Sequence, residues 1–275
     1  MKTLSLPLTN TPTVDARWYQ IIFLASFLTF GILFLDWKAD WIKYITLITT
    51  CQAVQWFWIW KTGASIHTLK SAAITSLGLS LLLKTNLPHV ALIAAVVAIS
   101  SKFIFKVNNK HFFNPANIGL IAAILITHQA WVSPGQWGRE ALMLLLFMGL
   151  GLTVVGKVGR IDTSITFLLT LAVLNGIRWN IHYGWPLDLL GHKMLNGTTL
   201  LFAFFMITDP RSIPDHRIAR IAWTMAVAGL TFYLTNYQQM SAGAIWALFI
   251  LSPFTPILDY FFKGERFEWL PATIK

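Results

Sequence analysis

Long apolar runs separated by short polar stretches dominate this chain of 275 residues. Most of the runs reach or approach the roughly 20 residues that a helix needs to cross the hydrocarbon core of a bilayer. The third and eighth runs are the short ones, which favours interrupted or partial helices there. The pattern predicts ten membrane-spanning segments, at residues 17–37, 41–60, 69–84, 88–106, 114–132, 139–156, 162–180, 192–208, 217–236 and 240–262.

The third and eighth segments carry a related sequence, 123 positions apart. The run S-A-A-I-T-S-L-G-L-S-L-L-L-K-T-N at residues 71–86 recurs as M-L-N-G-T-T-L-L-F-A-F-F-M-I-T-D at residues 194–209. We expect the two segments to face each other across a pseudo-twofold axis. The hydroxyl residues expected near that axis are Thr75, Ser76, Thr198 and Thr199.

The same offset divides the chain into two halves, residues 17–132 and 139–262, with five segments in each. Because five is an odd number of crossings, the second half enters the membrane from the opposite face, as in many transporters. The sequence thus predicts an all-α integral membrane protein built from two inverted five-helix repeats. These repeats lie between an N-terminal tail at 1–16 and a C-terminal tail at 263–275.

Composition and charge agree with a membrane location. The chain is 56% hydrophobic and 12% charged, whereas a soluble domain carries about a quarter charged residues. Of the twenty-one Lys and Arg residues, fifteen fall in loops on the N-terminal side of the predicted membrane. This bias predicts that both termini face the cytoplasm. Anionic lipid then accounts for the net charge of +10 without any nucleic acid. Residues 1–16 contain no apolar run typical of a signal peptide, so none is expected.

The sequence offers little for metal or acid–base chemistry. Cys51 is the single cysteine, which excludes an iron–sulfur cluster ligated by this chain and an internal disulfide. No catalytic triad and no pair of carboxylates is apparent in the pattern of polar residues. We therefore predict no catalytic residue and no metal ligand in this chain.

Polar residues concentrate where helices are predicted to begin. Asn114-Pro115, Asp209-Pro210 and Asp162-Thr163-Ser164 each place a capping side chain at such a position. One interpretation is capping alone. The other is that these helix N-termini direct their free N–H groups at an anion or at the carbonyl edge of a ligand. Buried polar groups are costly in hydrocarbon, so we expect a shared polar lining. Its further members are Asn117, Asn175, Asn196, Thr198 and Thr199.

Four stretches resemble one known family. They are S-K-F-I-F-K-V-N-N-K-H-F-F-N-P-A-N-I-G-L at 101–120, G-R-I-D-T-S at 159–164, F-F-M-I-T-D-P at 204–210 and S-P-F-T-P-I-L-D at 252–259. They are similar to the RnfD/NqrB family, membrane subunits of the Rnf and sodium-pumping NADH:quinone oxidoreductase complexes. The similarity is closer to the stand-alone relatives, the UnbU-type proteins encoded in enediyne clusters.

The resemblance implies ten helices in an inverted repeat, a fold related to urea and ammonium channels, a flavin cofactor and other redox subunits as partners. In complex-bound members a threonine of an S-G-A-T motif carries covalent FMN. The matching interval here, residues 121–158, contains no such motif, so covalent FMN is not expected. A non-covalent flavin, riboflavin or FMN, needs convergent polar groups and a stacking surface. The candidates are Asn114, Asn117, Asn196, Thr198, Thr199 and Asp209, with Phe113 or a tryptophan as the platform.

The sequence is therefore interpreted as a multi-pass protein of the bacterial inner membrane that takes part in electron transfer or transmembrane transport with a non-covalent flavin. Two alternatives stay open. The same inverted repeat makes a permease or channel for a small solute, flavin included, without redox chemistry. A membrane scaffold for other redox subunits is the second alternative, and it fits the lack of a metal ligand set.

Overall fold

The computed structural model describes residues 15–35, 37–133, 141–194 and 196–269, with side chains except at 141–148 and 193. Most of the predicted N-terminal tail, residues 270–275 of the C-terminal tail and residues 134–138 of the outer loop lie outside the described residues. The described part is mostly helical, as the apolar runs predict. Its helices are α1 (Ala16–Phe34), α2 (Trp41–Thr62), α3 (Leu69–Leu82), α4 (Pro88–Ile104), α5 (Pro115–Thr127), α6 (Ala141–Val158), α7 (Ile161–Gly176), α8 (Leu187–Met194), α9 (Gly197–Leu201), α10 (Arg217–Asn236), α11 (Gly243–Leu251) and α12 (Thr255–Phe261).

Three helices continue with altered geometry instead of ending. Helix α7 runs on as a π-helical stretch, Ile177–His182, and α9 runs on as another, Phe202–Met206. A 3₁₀ turn, Ser252–Phe254, joins α11 to α12. Among the described residues, four helices are long and apolar enough to cross a membrane: Ala16–Phe34, Ile161–His182, Arg217–Asn236 and Gly243–Phe261. Shorter apolar helices accompany them, including Pro88–Ile104, Pro115–Thr127 and Gly197–Met206.

The predicted eighth segment, 192–208, is broken into two elements. Helix α8 ends at Met194, and α9 begins at Gly197. Asn196 separates them as an N-cap, because its side-chain oxygen accepts a 2.9 Å hydrogen bond from the Thr199 amide. The short eighth run predicts this interruption. The apolar helix nevertheless starts later than the run predicts, because the Asn196 cap fixes the position of its first turn.

Helix α3 forms the centre of the fold. Nine of its fourteen residues are buried, on all of its sides, as is typical of a helix surrounded by protein. It packs on α1, α2 and α5. The π-helical stretch after α9 is buried along its whole length and packs on α6 and α7. These two segments are thus the innermost described parts of the two halves.

The outer helices pack in corresponding ways in the two halves. Helix α4 lies between α2 and α5, and α10 lies between α7 and α11. The halves meet where α1 packs on α6 and where α5 packs on α11.

Two antiparallel pairs of short strands lie in the loops at the ends of the bundle. Strands β1 (Leu83–Lys84) and β4 (Trp131–Val132) pair antiparallel just after α3 and α5. Strands β2 (Lys106–Val107) and β3 (Lys110–His111) form a hairpin between α4 and α5. Its two-residue turn places Asn108 and Asn109 at φ 51° and 61°, as a type I′ turn requires.

Candidate functional site

Charged residues gather at one end of the bundle. The ion pairs among the described residues lie there: six join a Lys or Arg of the predicted cytoplasmic side to a carboxylate, and in the seventh contact His111 approaches Asp209. We call this the charged end and define it by Asp15, Arg17, Lys110, Asp162, Asp209, Asp215, Arg220 and Asp259. The structure thus brings together basic loops that the sequence assigned to one face of the membrane.

Asp15 is part of this network, although the sequence placed it in a terminal tail. Its carboxylate caps α1, accepts hydrogen bonds from Arg17 and lies 3.0 Å from the Lys70 ammonium. Burial by itself raises the pKa of the Asp15 carboxyl, but the hydrogen bonds from Arg17 and Lys70 outweigh it and lower that pKa to about 2. The ion pairs thus hold Asp15 against the helix bundle.

A narrow cavity of about 80 Å³ opens between the halves near the charged end. Thr75 and Gly78 of α3 line one wall, and Phe205 and Met206 of the π-helical stretch after α9 line another. The segments that share the repeat therefore face each other across this cavity. Its polar lining comes from Gln20, Ser71, Thr75, His111, Asn114, Thr208, Asp209 and Arg211.

Asn114 and Asp209 meet at the mouth of the narrow cavity. Asn114 caps α5 by accepting from the Asn117 amide at 3.1 Å, which confirms the predicted cap. Its amide nitrogen donates to the Met206 carbonyl at 3.1 Å and reaches Asp209 Oδ2 at 3.5 Å. His111 Nε2 lies 3.7 Å from the same oxygen. Burial alone raises the pKa of the Asp209 carboxyl, but its hydrogen bond with His111 and the charges of His111 and Arg211 outweigh burial and lower that pKa.

Two other predicted caps are wrong. No helix begins after Asp209-Pro210: the chain turns there, and the Asp209 carboxylate accepts from the Arg211 amide at 3.2 Å. Asp162 lies inside the first turn of α7, whose preceding residue, Arg160, makes no side-chain cap bond. Asp162 instead pairs with Arg220 of α10 at 2.6 Å. Asp162 also accepts from the neighbouring Thr163 amide at 3.0 Å, and each carboxylate lies beside a basic side chain that is distant in sequence, Arg220 or His111.

Asn117 lies one turn deeper in α5 and is fully buried. Its amide nitrogen donates to the Ile245 carbonyl of α11 at 2.8 Å and lies 3.9 Å from the Met206 sulfur. Within the described part of the chain, its Oδ1 has no hydrogen-bond partner. Met206 lines the narrow cavity, and Ile245 lines a second cavity. Asn117 thus bridges the walls of two cavities.

The second cavity is much wider, about 740 Å³. It lies among α7, the π-helical stretches, α9, α10 and α11. Asn175 and Asn236 form its inner wall, where the Asn236 amide donates to Asn175 Oδ1 at 3.0 Å and accepts from the Trp179 indole at 3.0 Å. Helix α7 starts beside Arg220 at the charged end and rises about 1.5 Å per residue, so Asn175 and Trp179 lie toward the opposite end of the bundle. The wide cavity and the charged end are therefore at opposite ends.

Aromatic rings line one side of the wide cavity. The rings of Trp179 and Trp185 lie 6.3 Å apart, and those of Tyr183 and Trp185 lie 5.6 Å apart and stack. The Arg178 guanidinium lies 4.2 Å from the Tyr237 ring and 5.3 Å from the Tyr183 ring. A flat aromatic ligand would find both stacking faces and amide groups here.

The candidate residues from the sequence do not share one pocket. Asn114 and Asp209 line the narrow cavity, whereas Asn196, Thr198 and Thr199 line the wide one. Phe113 lines neither, because it stacks on Phe249 with ring centroids 5.3 Å apart.

Sequence reasoning missed Arg178, Trp179 and Asn236 of the wide cavity. The available signal was a cluster of polar and aromatic residues at the ends of two apolar runs, the predicted seventh and ninth segments. Asn175, which the sequence included in the polar lining, is the one member of this wall that it identified.

A family model described as the NQR2, RnfD, RnfE family matches residues 123–268. The chain belongs to this family. The match covers α6 to α12 and thus the whole wall of the wide cavity from Phe167 to Ile245. The resemblance that the sequence motifs indicate is confirmed.

Curated relatives in this family are each named as a subunit of an ion-translocating oxidoreductase complex. The relative from Halorhodospira halophila is 27% identical over 48% of this chain and 36% of its own length. The relative from Cronobacter sakazakii is 30% identical over 46% of this chain and 35% of its own length. The relative from Pseudomonas paraeruginosa is 23% identical over 72% of this chain and 74% of its own. The chain thus spans about a third of the first two relatives.

Proposed function

We propose that this chain is a membrane subunit of an electron-transferring, ion-translocating oxidoreductase and that it holds a flavin non-covalently in the wide cavity. Family membership supports the first part, since the relatives are named as subunits of such a complex. The wide cavity supports the second. Other redox subunits are the partners that this role requires, and the bilayer surrounds the apolar helices.

The single observation that carries the flavin proposal is the size and lining of the wide cavity. At about 740 Å³ it falls in the range of pockets that hold drug-sized ligands. Trp185 and Tyr183 supply stacking faces, and Thr199 and Arg178 supply polar groups for the edge of the ring. A bound flavin would accept and donate electrons, while these residues bind and orient it. The narrow cavity has room for a few water molecules but not for a tricyclic ring.

The proposal includes an inverted repeat of ten spans in two halves, 17–132 and 139–262. The corresponding packing of α2, α4 and α5 with α7, α10 and α11 supports it. So do the repeat-related Thr75 and Thr198, which line cavities toward opposite ends, since an inversion exchanges the two faces of the membrane. In the bacterial inner membrane, the charged end and both termini then face the cytoplasm.

One observation favours a second candidate, the small-solute permease. The narrow and wide cavities lie toward opposite ends, and Asn117 with its unpaired Oδ1 lies between their walls. A solute that pairs with this oxygen would occupy a midplane position. A permease for a solute other than flavin would bind no flavin.

The decisive experiment compares flavin content in matched threonine variants. Protein purified in mild detergent should show a flavin absorbance spectrum, and acid should release the flavin through a filter, since no covalent bond holds it. Thr199→Val should lower the flavin content about tenfold, because it removes a hydroxyl from the wide cavity without changing the side-chain shape.

Thr75→Val is the matched control, because Thr75 lines the narrow cavity. It should leave the flavin content unchanged. Colourless protein that also fails to bind added riboflavin or FMN would refute the flavin site and favour the permease. Equal loss in both variants would refute the assignment to the wide cavity.

A further inference from the structure

A third cavity, of about 250 Å³, lies at the charged end. It lies between the β2–β3 hairpin, α12 and the segment 263–266 that follows α12. Its polar lining has one acidic side and one basic side, formed by Asp215, Asp259, Lys110, Lys263 and Arg266. The flavin proposal assigns no role to this cavity.

The inner wall carries two carboxylates and one ammonium group. The Lys110 ammonium lies 2.6 Å from Asp259 Oδ2 and 2.9 Å from Asp215 Oδ1, and it donates to the Ile213 carbonyl at 2.6 Å. Asp259 Oδ1 accepts a 2.8 Å hydrogen bond from the Asp215 amide, which fixes the two carboxylates beside each other. Two carboxylates thus share one ammonium. Arg160 also acts electrostatically on Asp215, and the remaining carboxylate lone pairs can accept hydrogen bonds from a second ammonium group.

The mouth carries the opposite charge. Lys263 and Arg266 are exposed, and neither has an ion-pair partner among the described residues. The Lys263 ammonium lies over the Tyr260 ring at 5.3 Å from its centroid. Two such cations beside an open cavity can bind a phosphate.

The backbone holds these cations above the carboxylates. A Cβ at Gly264 would come within 2.6 Å of the His216 amide nitrogen and 2.7 Å of the Asp215 carbonyl carbon. Only glycine permits this close approach of segment 263–266 to the acidic wall. Gly264 therefore fixes the position of the basic mouth relative to the acidic wall.

Exposed apolar side chains lie in and beside the lining of this cavity. Val107 of the hairpin is 45% exposed, and Tyr260 and Phe261 of α12 are 71% and 70% exposed. Helix α12 ends a helix that is apolar enough to cross a membrane, so the cavity lies at the level where lipid headgroups meet hydrocarbon.

We propose that this cavity binds the headgroup of an aminophospholipid. Lys263 and Arg266 contact its phosphate, Asp215 and Asp259 accept hydrogen bonds from its ammonium, and the acyl chains lie along Val107, Tyr260 and Phe261. A soluble phosphoethanolamine ester carries the same phosphate and ammonium groups. The exposed apolar side chains beside the cavity favour the lipid, because they can contact its acyl chains.

The test measures which lipids the purified full chain retains from detergent micelles that contain equal amounts of phosphatidylethanolamine, phosphatidylcholine and phosphatidylglycerol. Native mass spectrometry counts the bound lipids. Phosphatidylethanolamine should be retained about tenfold better than phosphatidylcholine, whose methylated ammonium has no hydrogen to donate. Lys263→Ala with Arg266→Ala should lower the retention of both lipids about tenfold, because both carry the phosphate, and both residues are exposed, so folding should be kept.

The matched control is Lys61→Ala with Arg217→Ala. Lys61 is exposed and lies over the Trp58 ring at 5.4 Å, as Lys263 lies over Tyr260, and Arg217 has a 77% exposed side chain. This pair lies outside the cavity and should leave lipid retention unchanged. Asp259→Asn should lower the preference for phosphatidylethanolamine over phosphatidylglycerol.

Three results would overturn the proposal. One is equal retention of phosphatidylethanolamine and phosphatidylcholine by the unaltered protein. Another is an equal loss of the bound lipid in the control pair, which would indicate a general basic surface. The third is competition by soluble glycerophosphoethanolamine at the concentration of the lipid, which would identify a free phosphate ester as the ligand.

Discussion

Buried polar groups find different kinds of partner at the two ends of the bundle. At the charged end, carboxylates and cations from distant segments neutralise one another, as Asp162 and Arg220 do at 2.6 Å. At the other end, neutral amides such as Asn175 and Asn236 satisfy one another and leave a wide cavity open. Ion pairs hold the charged end in close contact, because an unpaired buried charge is costly. Neutral amides tolerate an empty or solvated cavity, so the wide cavity stays open at this end.

The largest expected effect concerns which end faces the cytoplasm. A cysteine at Gln238, exposed near the wide cavity, should react fully with an impermeant thiol reagent applied outside cells. A cysteine at Lys106, exposed on the hairpin of the charged end, should not react until the membrane is opened. Mass spectrometry of the labelled protein measures both. The native Cys51 is fully buried and provides the unlabelled background. Outside labelling of the Lys106 variant would reverse the proposed orientation.

The next effect compares the stability that the two ends contribute. Asp162→Ala should destabilise the protein by about 3–5 kcal/mol, because it leaves Arg220 buried without its partner. The Arg220 side chain is 5% exposed. Thermal unfolding in detergent, followed by tryptophan fluorescence, measures the loss.

Two variants give this comparison its scale. Asn236→Ala should cost about 1 kcal/mol, since the groups it leaves at the wide cavity can bind water. Arg217→Ala, at a side chain that is 77% exposed beside the same Asp162, should change stability by less than about 0.5 kcal/mol. If Asn236→Ala lowered the stability as much as Asp162→Ala, the polar groups at the two ends would not differ in the stability that they contribute.

The smallest expected effect is a dependence of the protein's stability on pH through Asp15. Its pKa in the folded protein is lowered to about 2, so its ion pairs stabilise the protein above the pKa of the unfolded state and lose that effect as pH falls through the folded pKa. The melting temperature of Asp15→Asn should therefore be below that of the unaltered protein at pH 6, and the two should converge toward pH 2. Asp188→Asn, at an exposed residue of α8, should show no such convergence. A constant difference at Asp15 across this range would mean that its charge contributes nothing.

Several local features followed directly from the sequence. The Asn114-Pro115 pair predicted both the cap and the start of α5, because a cap requires only residues within one helical turn. The short third and eighth runs pointed to the segments that line the narrow cavity. The Lys and Arg pattern assigned the basic loops to the charged end before any contact was known.

The candidate site could be predicted only in part, because a polar residue in an apolar run does not reveal which neighbour it will meet. Asp209 and Asp162 both precede or begin apolar stretches and fit the cap pattern. Their partners, His111 and Arg220, lie far away in sequence, and contacts across the bundle compete with a local cap. Asn236 was missed for the same reason, since its partner Asn175 lies 61 residues away.

The sequence by itself determined that the chain is helical, apolar and charged on one side, since these properties depend on residue type and on spacing along a single helix. The tertiary structure decided that the polar candidates separate into a narrow cavity and a wide one with Asn117 between their walls. The packing angle and depth of each helix determine that separation, and they result from contacts between residues that are distant in the chain.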